Sequence, residues 1–206
     1  MNHNTTAKSY DKQSEGYEKK WKGYLDNTHK ALHSVIELQK DDTVLDVSAG
    51  TGLFAQKILE DHPIERIVLN DVSLEMQSLA KTTLADHENV TFTNYSAEQL
   101  DFKPDSFDHI ISLNAYHNYP HHVQFVQKAF DLLKPGGHFY VLDWNRKGYF
   151  RVVNWLISMV TNEIINTKSA NEVQQQLEVT GFDVLKNKEW HYRYWNLFLI
   201  KCQKPS

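Results

Sequence analysis

Cysteine is almost missing from this chain of 206 residues. Cys202 is the only one, so no disulfide can close within the chain and no cysteine-based metal site can be built. Positive charge is not in excess either: 22 Lys and Arg stand against 26 Asp and Glu, a net charge of -4, which argues against a protein that grips nucleic acid by broad cationic attraction. Long apolar runs are lacking. Met1 to Thr6 hold no apolar core of the kind a secretory signal needs, and the longest apolar stretch, near Tyr149 to Val160, is interrupted by Arg151 and Asn154. No transmembrane segment is therefore expected, and the cytoplasm is the expected location. Low-complexity tracts and repeats are also absent. With 41% hydrophobic and 12% aromatic residues the chain reads as globular, long enough for one well-buried domain and short for two.

What is there is organised around Val44-Leu45-Asp46-Val47-Ser48-Ala49-Gly50-Thr51-Gly52-Leu53-Phe54, a short apolar run holding one acid, a glycine turn and the start of a helical pattern. It reads as strand, cofactor loop and helix. Gly50 and Gly52 let the backbone turn sharply and let a ligand approach the main chain, and the small Ser48 and Ala49 keep that approach open. Gly50, Gly52 and Ala55 also satisfy the dinucleotide fingerprint, a weak signal when alone. Asp46 tips the choice. A carboxylate inside an apolar strand is costly unless something pairs with it. A dinucleotide would bring a negatively charged pyrophosphate, whereas S-adenosylmethionine brings an ammonium and a sulfonium.

The pattern Asp46-x-Ser48-x-Gly50-x-Gly52 resembles motif I of the class I S-adenosylmethionine-dependent methyltransferases, of the small-molecule, UbiE-like type, with Ser48 where the family usually has its first glycine. The rest of the chain up to Asp143 agrees. Asp71 ends a second buried strand about twenty residues beyond the glycine turn, the spacing at which a carboxylate can accept both ribose hydroxyls. The alternative is a cap for the next helix, a role Ser73 could also take. Val72, Ser73 and Met76 are similar to the family's Asp-x-Ser-x-x-Met. Ser96-Ala97-Glu98 stands where family members have Asp-Ala-Glu, so the resemblance places Ser96 at the adenine amino group, as a neutral and weaker partner than an acid, with the main chain of Ala97 sharing the recognition. Leu133-Lys134-Pro135-Gly136-Gly137 is similar to the signature before the family's fifth strand. Tyr10 and Tyr17 gain weight as a cover over the methionine part of the cofactor, which similar Tyr-Asp segments provide in the family. The cofactor-binding set this implies is Tyr10, Tyr17, Asp46, Ser48, Ala49, Gly50, Thr51, Gly52, Asp71, Val72, Met76, Ser96, Ala97, Glu98 and Asn114.

Asn114-Ala115-Tyr116-His117-Asn118-Tyr119 follows the fourth buried strand, at the carboxyl end where ligands bind in a parallel sheet. It is not the Asn-Pro-Pro-Tyr cluster by which amino-methylating DNA enzymes hold a flipped base, in keeping with the charge argument against nucleic acid. His117 has two readings: a general base for the acceptor, the catalytic candidate, or a packing and hydrogen-bonding residue near the cofactor.

Elsewhere the pattern predicts an amphipathic helix from about Ser9 to Leu25, and a second, with Leu32, Val35 and Ile36 inward, ending near Lys40. A helix opens at Pro120, and an aromatic helix runs from Trp144 to about Asn166. Ser169-Ala170-Asn171-Glu172 is a capping box, its helix ending at Gly181, and a final hairpin turns through Glu189 to Arg193. His29, His33 and Glu37 fall at successive helical turns, but no further metal ligand can be named, and a solvated polar face is the better reading.

The expected architecture is a single α/β domain over residues 1–206, with a helical cover at 1–40, a cofactor core at 41–143 and substrate-side helices and hairpin at 144–206. Its sheet is Rossmann-like, seven-stranded and mostly parallel, with helices on both faces and the last strand antiparallel. The expected function is methyl transfer from S-adenosylmethionine, leaving S-adenosylhomocysteine, to a small-molecule acceptor, apolar or aromatic if the aromatic helix lines its pocket. Alignment and desolvation would do most of the work. No metal and no nucleic-acid partner are expected, and the protein would be a monomer or homodimer. The alternatives are an NAD(P)-dependent oxidoreductase and a non-catalytic S-adenosylmethionine-binding partner protein.

Overall fold

The computed structural model describes residues 16–148 and 166–206; Tyr10 and the expected aromatic helix beyond Gly148, with Tyr149, Phe150, Trp155 and Met159, lie outside them. The chain order is α1 (Tyr17–His33), β1 (Thr43–Asp46), α2 (Leu53–Asp61), β2 (Arg66–Asn70), α3 (Leu74–Thr83), β3 (Val90–Thr93), β4 (Phe107–Leu113), α4 (His122–Leu132), β5 (Leu133–Trp144), α5 (Ala170–Thr180), β6 (Asp183–Tyr192) and β7 (Trp195–Gln203).

The strands form one sheet in the order β3-β2-β1-β4-β5-β7-β6. Strands β1 to β5 run parallel, and β7 runs antiparallel between β5 and β6. This is the seven-stranded architecture expected, with the last strand as the reversed one. The strand order turns back on itself between β1 and β4, which opens a crevice at their carboxyl ends. One apolar layer packs α4 and α5 on the sheet through Phe125, Phe139, Leu177 and Phe198. A second layer packs α2 and α3 through Phe54, Ile58, Ala80 and Leu84. Burial on both faces is what the continuous apolar runs of β1, β4 and β5 require.

Over the described residues, the end of the first expected helix and the start of the second run on as one helix, Tyr17–His33. In α1, Tyr24, Leu25, Thr28 and Leu32 are buried, a stripe at helical spacing with no breaker inside it. Thr28 spends its hydroxyl on the carbonyls of Tyr24 and Leu25 in its own helix. The helix stops at His33, and Val35 and Ile36 reach the core from irregular chain. Glu37 is therefore off the helix that carries His29 and His33, and it meets Lys201 instead.

Three boundaries also differ. Helix α4 opens at His122, two residues after Pro120. Trp144 is the end of β5 and not the start of a helix. The closing hairpin turns at Arg193, in left-handed backbone with φ 55°, so β6 runs on through Glu189–Tyr192, which the sequence assigns to the turn. Trp190 and Tyr192 are the cause: they pack under α1 with Trp21 and Trp195, and their burial extends the pairing. The capping box of Ser169 and Glu172 and the left-handed Gly181 bound α5 as expected.

Candidate functional site

A cleft opens at the crevice between β1 and β4, and the loop after β1 is its floor. Gly50 has φ +56°, and a Cβ there would meet nothing within 4 Å, so the main chain is bare towards the cleft. Gly52, at φ +81°, acts differently. Its missing Cβ would sit 3.2 Å from Ala80 and Leu84, so it lets α2 approach α3, and it does not line the cleft. The Ala49 amide donates to the Asn70 carbonyl at 3.0 Å, tying the loop to the tip of β2.

Asp71 follows that tip. Its carboxylate accepts from the Gly50 amide at 2.8 Å through one oxygen and from the Ser73 amide at 2.9 Å through the other. Ser73, not Asp71, caps α3 by accepting from the Met76 amide. Tyr17 sits near Asp71, and burial first, then the Asp71 charge, push its hydroxyl up to about 12. Val72 and Met76 continue this wall.

Asp46 is 2% exposed at the end of β1 and lines the cleft. Its one hydrogen bond among the described residues is from the Ser48 amide, at 3.3 Å. Burial raises its pKa to about 7, the Ser48 amide opposes that rise, and the Asp71 charge adds to it. No cationic side chain among the described residues pairs with it. His29, on α1, faces the same cleft beside Phe54, and burial lowers its pKa to about 4, so it is neutral at pH 7. The cleft thus holds two acids, Asp46 and Asp71, of which Asp46 has no cationic side chain paired with it among the described residues.

The opposite wall carries Asn114, Ala115, Asn118, Tyr119 and Pro120. Asn114 is in left-handed backbone at φ 57°. Its side chain is committed: Oδ1 accepts from the Tyr24 hydroxyl and Nδ2 donates to Thr28 Oγ1, both at 2.9 Å. Ser48 Oγ lies 2.8 Å from the Tyr119 hydroxyl.

A methyltransferase-domain family model matches residues 44–137. The malonyl-[acyl-carrier protein] O-methyltransferase 1 of Ilyobacter polytropus is 27% identical over 88% of this chain and 64% of its own. The ubiquinone/menaquinone biosynthesis C-methyltransferase UbiE of Rhizobium rhizogenes is 31% identical over 68% of this chain and 55% of its own. These matches support a class I S-adenosylmethionine-dependent methyltransferase. It spans less than two thirds of the length of both relatives. In fold it is similar to the methyltransferase solved with the Haloferax volcanii Trm112 methyltransferase activator, at TM-score 0.82 and 20% identity over 96% of this chain and 98% of that one.

Within this methyltransferase fold, Tyr17, Asp46, Ser48, Ala49, Gly50, Thr51, Asp71, Val72, Met76, Ala97 and Asn114 come together around the cleft. Four residues expected there are placed elsewhere, the first being Gly52 between α2 and α3. Ser96 is off the lining, its hydroxyl buried with no partner among the described residues. Glu98 is turned to the start of α4, where its carboxylate accepts from the His121 amide at 3.2 Å. His117 is also off the lining. Its Nδ1 bonds Asp143 at 2.7 Å and its ring stacks on Trp144 with centroids 3.9 Å apart. Sequence reasoning missed His29 and Leu25 as wall residues, and placed Tyr119 only within the cluster that follows the fourth strand. The signal for the first two was the α1 stripe itself, since His29 lies four residues beyond Leu25 and on the same face.

Proposed function

We propose that this protein transfers the methyl group of S-adenosylmethionine to a small-molecule acceptor. The observation that carries the reading is Asp46: a buried carboxylate that opens on the cleft with one long hydrogen bond and no cationic partner among the described residues. An ammonium is the ligand group such an acid accepts most favourably. Asp71 at the tip of β2 would receive the ribose hydroxyls, since a carboxylate already holding two amides still has acceptor capacity. The bare main chain at Gly50 allows the close approach, and Tyr95 and Ala97, which line the cleft, would flank the adenine.

When bound, the cofactor supplies a methyl group already activated on a sulfonium. The protein's residues then need to hold the acceptor in line, exclude water and avoid adding positive charge. Burial keeps His29 neutral, which serves the last requirement. Leu25, Leu53, Phe54 and Leu113 give the cleft apolar surface that suits an apolar or aromatic acceptor. A dinucleotide is disfavoured, because its pyrophosphate would face both Asp46 and Asp71.

The test is calorimetry with S-adenosylhomocysteine and with NAD, followed by turnover on a metabolite mixture. Binding of S-adenosylhomocysteine alone, with its formation from S-adenosylmethionine when the mixture is added, is expected. Preferential NAD binding would overturn the reading.

A further inference from the structure

Ser112, Tyr119 and Ser48 form a chain of three hydroxyls whose proton directions are decided by burial. Ser112, on β4, is 0% exposed, and its Oγ lies 3.2 Å from the Tyr119 hydroxyl oxygen, its one acceptor among the described residues. A buried O–H left without an acceptor is costly, so the Ser112 hydrogen goes to Tyr119. Tyr119 has one hydrogen of its own, and burial holds its pKa far above the usual tyrosine range, so it stays protonated. That hydrogen goes to its other neighbour, Ser48 Oγ, at 2.8 Å. Ser48 now accepts from Tyr119, and its own hydrogen has no acceptor among the described residues. Ser48 lines the cleft, next to Asp46, whose carboxylate takes the Ser48 amide.

We propose that Ser48 is a hydrogen-bond donor to the carboxylate of the cofactor's amino-acid end, with Tyr119 and Ser112 as positioning residues that hold its proton towards the cleft. The inference rests on the cofactor reading above and adds to it. Asp46 would hold the ammonium, and Ser48, two residues on with a hydroxyl hydrogen to donate, would hold the carboxylate of the same amino-acid end. A glycine at residue 48 would offer only main-chain groups there. The serine thus replaces a bare turn with a directed side-chain bond, and the Tyr119 hydroxyl keeps that side chain from turning to accept from the ligand.

The experiment compares S-adenosylhomocysteine with its decarboxylated analogue, which keeps the amine and loses the carboxylate. Ser48→Ala should weaken S-adenosylhomocysteine about tenfold or more, the usual consequence of losing a hydrogen bond to a charged group, and leave the analogue unchanged. Ser48→Thr, which keeps a hydroxyl, should retain most of the affinity. Tyr119→Phe removes the positioning hydroxyl and should give a smaller loss, also confined to the ligand with the carboxylate. An equal loss of both ligands in Ser48→Ala and Tyr119→Phe, or no loss of either, would overturn the assignment. Wild-type protein that binds neither ligand would instead overturn the cofactor reading on which it rests.

Discussion

The Tyr24 hydroxyl donates to Asn114 Oδ1 at 2.9 Å, joining the first helix to the tip of the fourth strand across 90 residues of sequence. The Tyr24 hydroxyl oxygen itself accepts from Trp144 Nε1 at 2.9 Å, so three segments meet at one atom. Trp144 is in turn stacked between His117 and Trp195, with centroids 3.9 and 4.9 Å away. Helix α1 is thereby held over the crevice by polar bonds aimed at the site as well as by aromatic packing.

Tyr24→Phe should therefore do more than loosen a helix. It leaves Trp144 Nε1 and Asn114 Oδ1 without this partner, at a cost of about 1–3 kcal/mol. For a chain of this size that is a fall in Tm of roughly 2–10 °C, read by scanning calorimetry. Affinity for S-adenosylhomocysteine should fall too, because Asn114 lines the cleft. A variant that melts earlier and binds as well as wild type would separate the latch from the site.

Asp71→Ala should remove two ribose hydrogen bonds to a charged acceptor, about 2–4 kcal/mol, or roughly thirtyfold to a thousandfold in affinity. The amides of Gly50 and Ser73 also lose their acceptor, and the turn should loosen without unfolding the protein, since both sit at the rim of the sheet. Calorimetric titration with S-adenosylhomocysteine checks it; an unchanged dissociation constant would rule out the ribose role.

What could be read in advance, and what could not, divides by range along the chain. Asp46, Gly50 and Asp71 announce themselves because an acid at the end of an apolar run and a glycine turn are local signals. The capping box at Ser169 is local in the same way. Pairs such as Ser48 with Tyr119 or His117 with Asp143 join different strand tips, and nothing in either neighbourhood names the partner. Glu98 illustrates the remaining limit. Its residue type suits a binding site, but backbone direction after β3 decides that it meets the His121 amide.

His117 allows a prediction about mechanism. Its backbone amide and its Nδ1 both bond Asp143, a residue 1% exposed, each at 2.7 Å. His117→Ala would leave a buried carboxylate short of its ring partner, costing about 3 kcal/mol or more. Turnover should then drop by a similar factor at every pH, the mark of lost positioning. A deficit that disappears as the pH is raised would identify His117 as the general base instead, because the acceptor then needs no help with its proton.

Asp46 gives the last prediction, and its sign can be worked out. Folding raises the carboxyl from an ordinary 3.8 to about 7, so between those values the folded protein holds a proton that the unfolded chain has lost. Stability of the ligand-free protein from this group is therefore full below about 4 and is lost as the pH rises through 7. Affinity for a ligand bearing an ammonium moves the other way, rising towards pH 8 as Asp46 ionises. Binding near pH 7 should release a fraction of a proton, which calorimetry in two buffers of different ionisation enthalpy measures directly. Asp46→Asn should abolish that release and weaken S-adenosylhomocysteine while raising the Tm of the ligand-free protein at pH 8, since it deletes a buried charge. Opposite movement of stability and affinity is what a ligand-compensated carboxylate requires. A variant that loses both, or one that binds more tightly, would mean that Asp46 does not answer to a cation in the cleft.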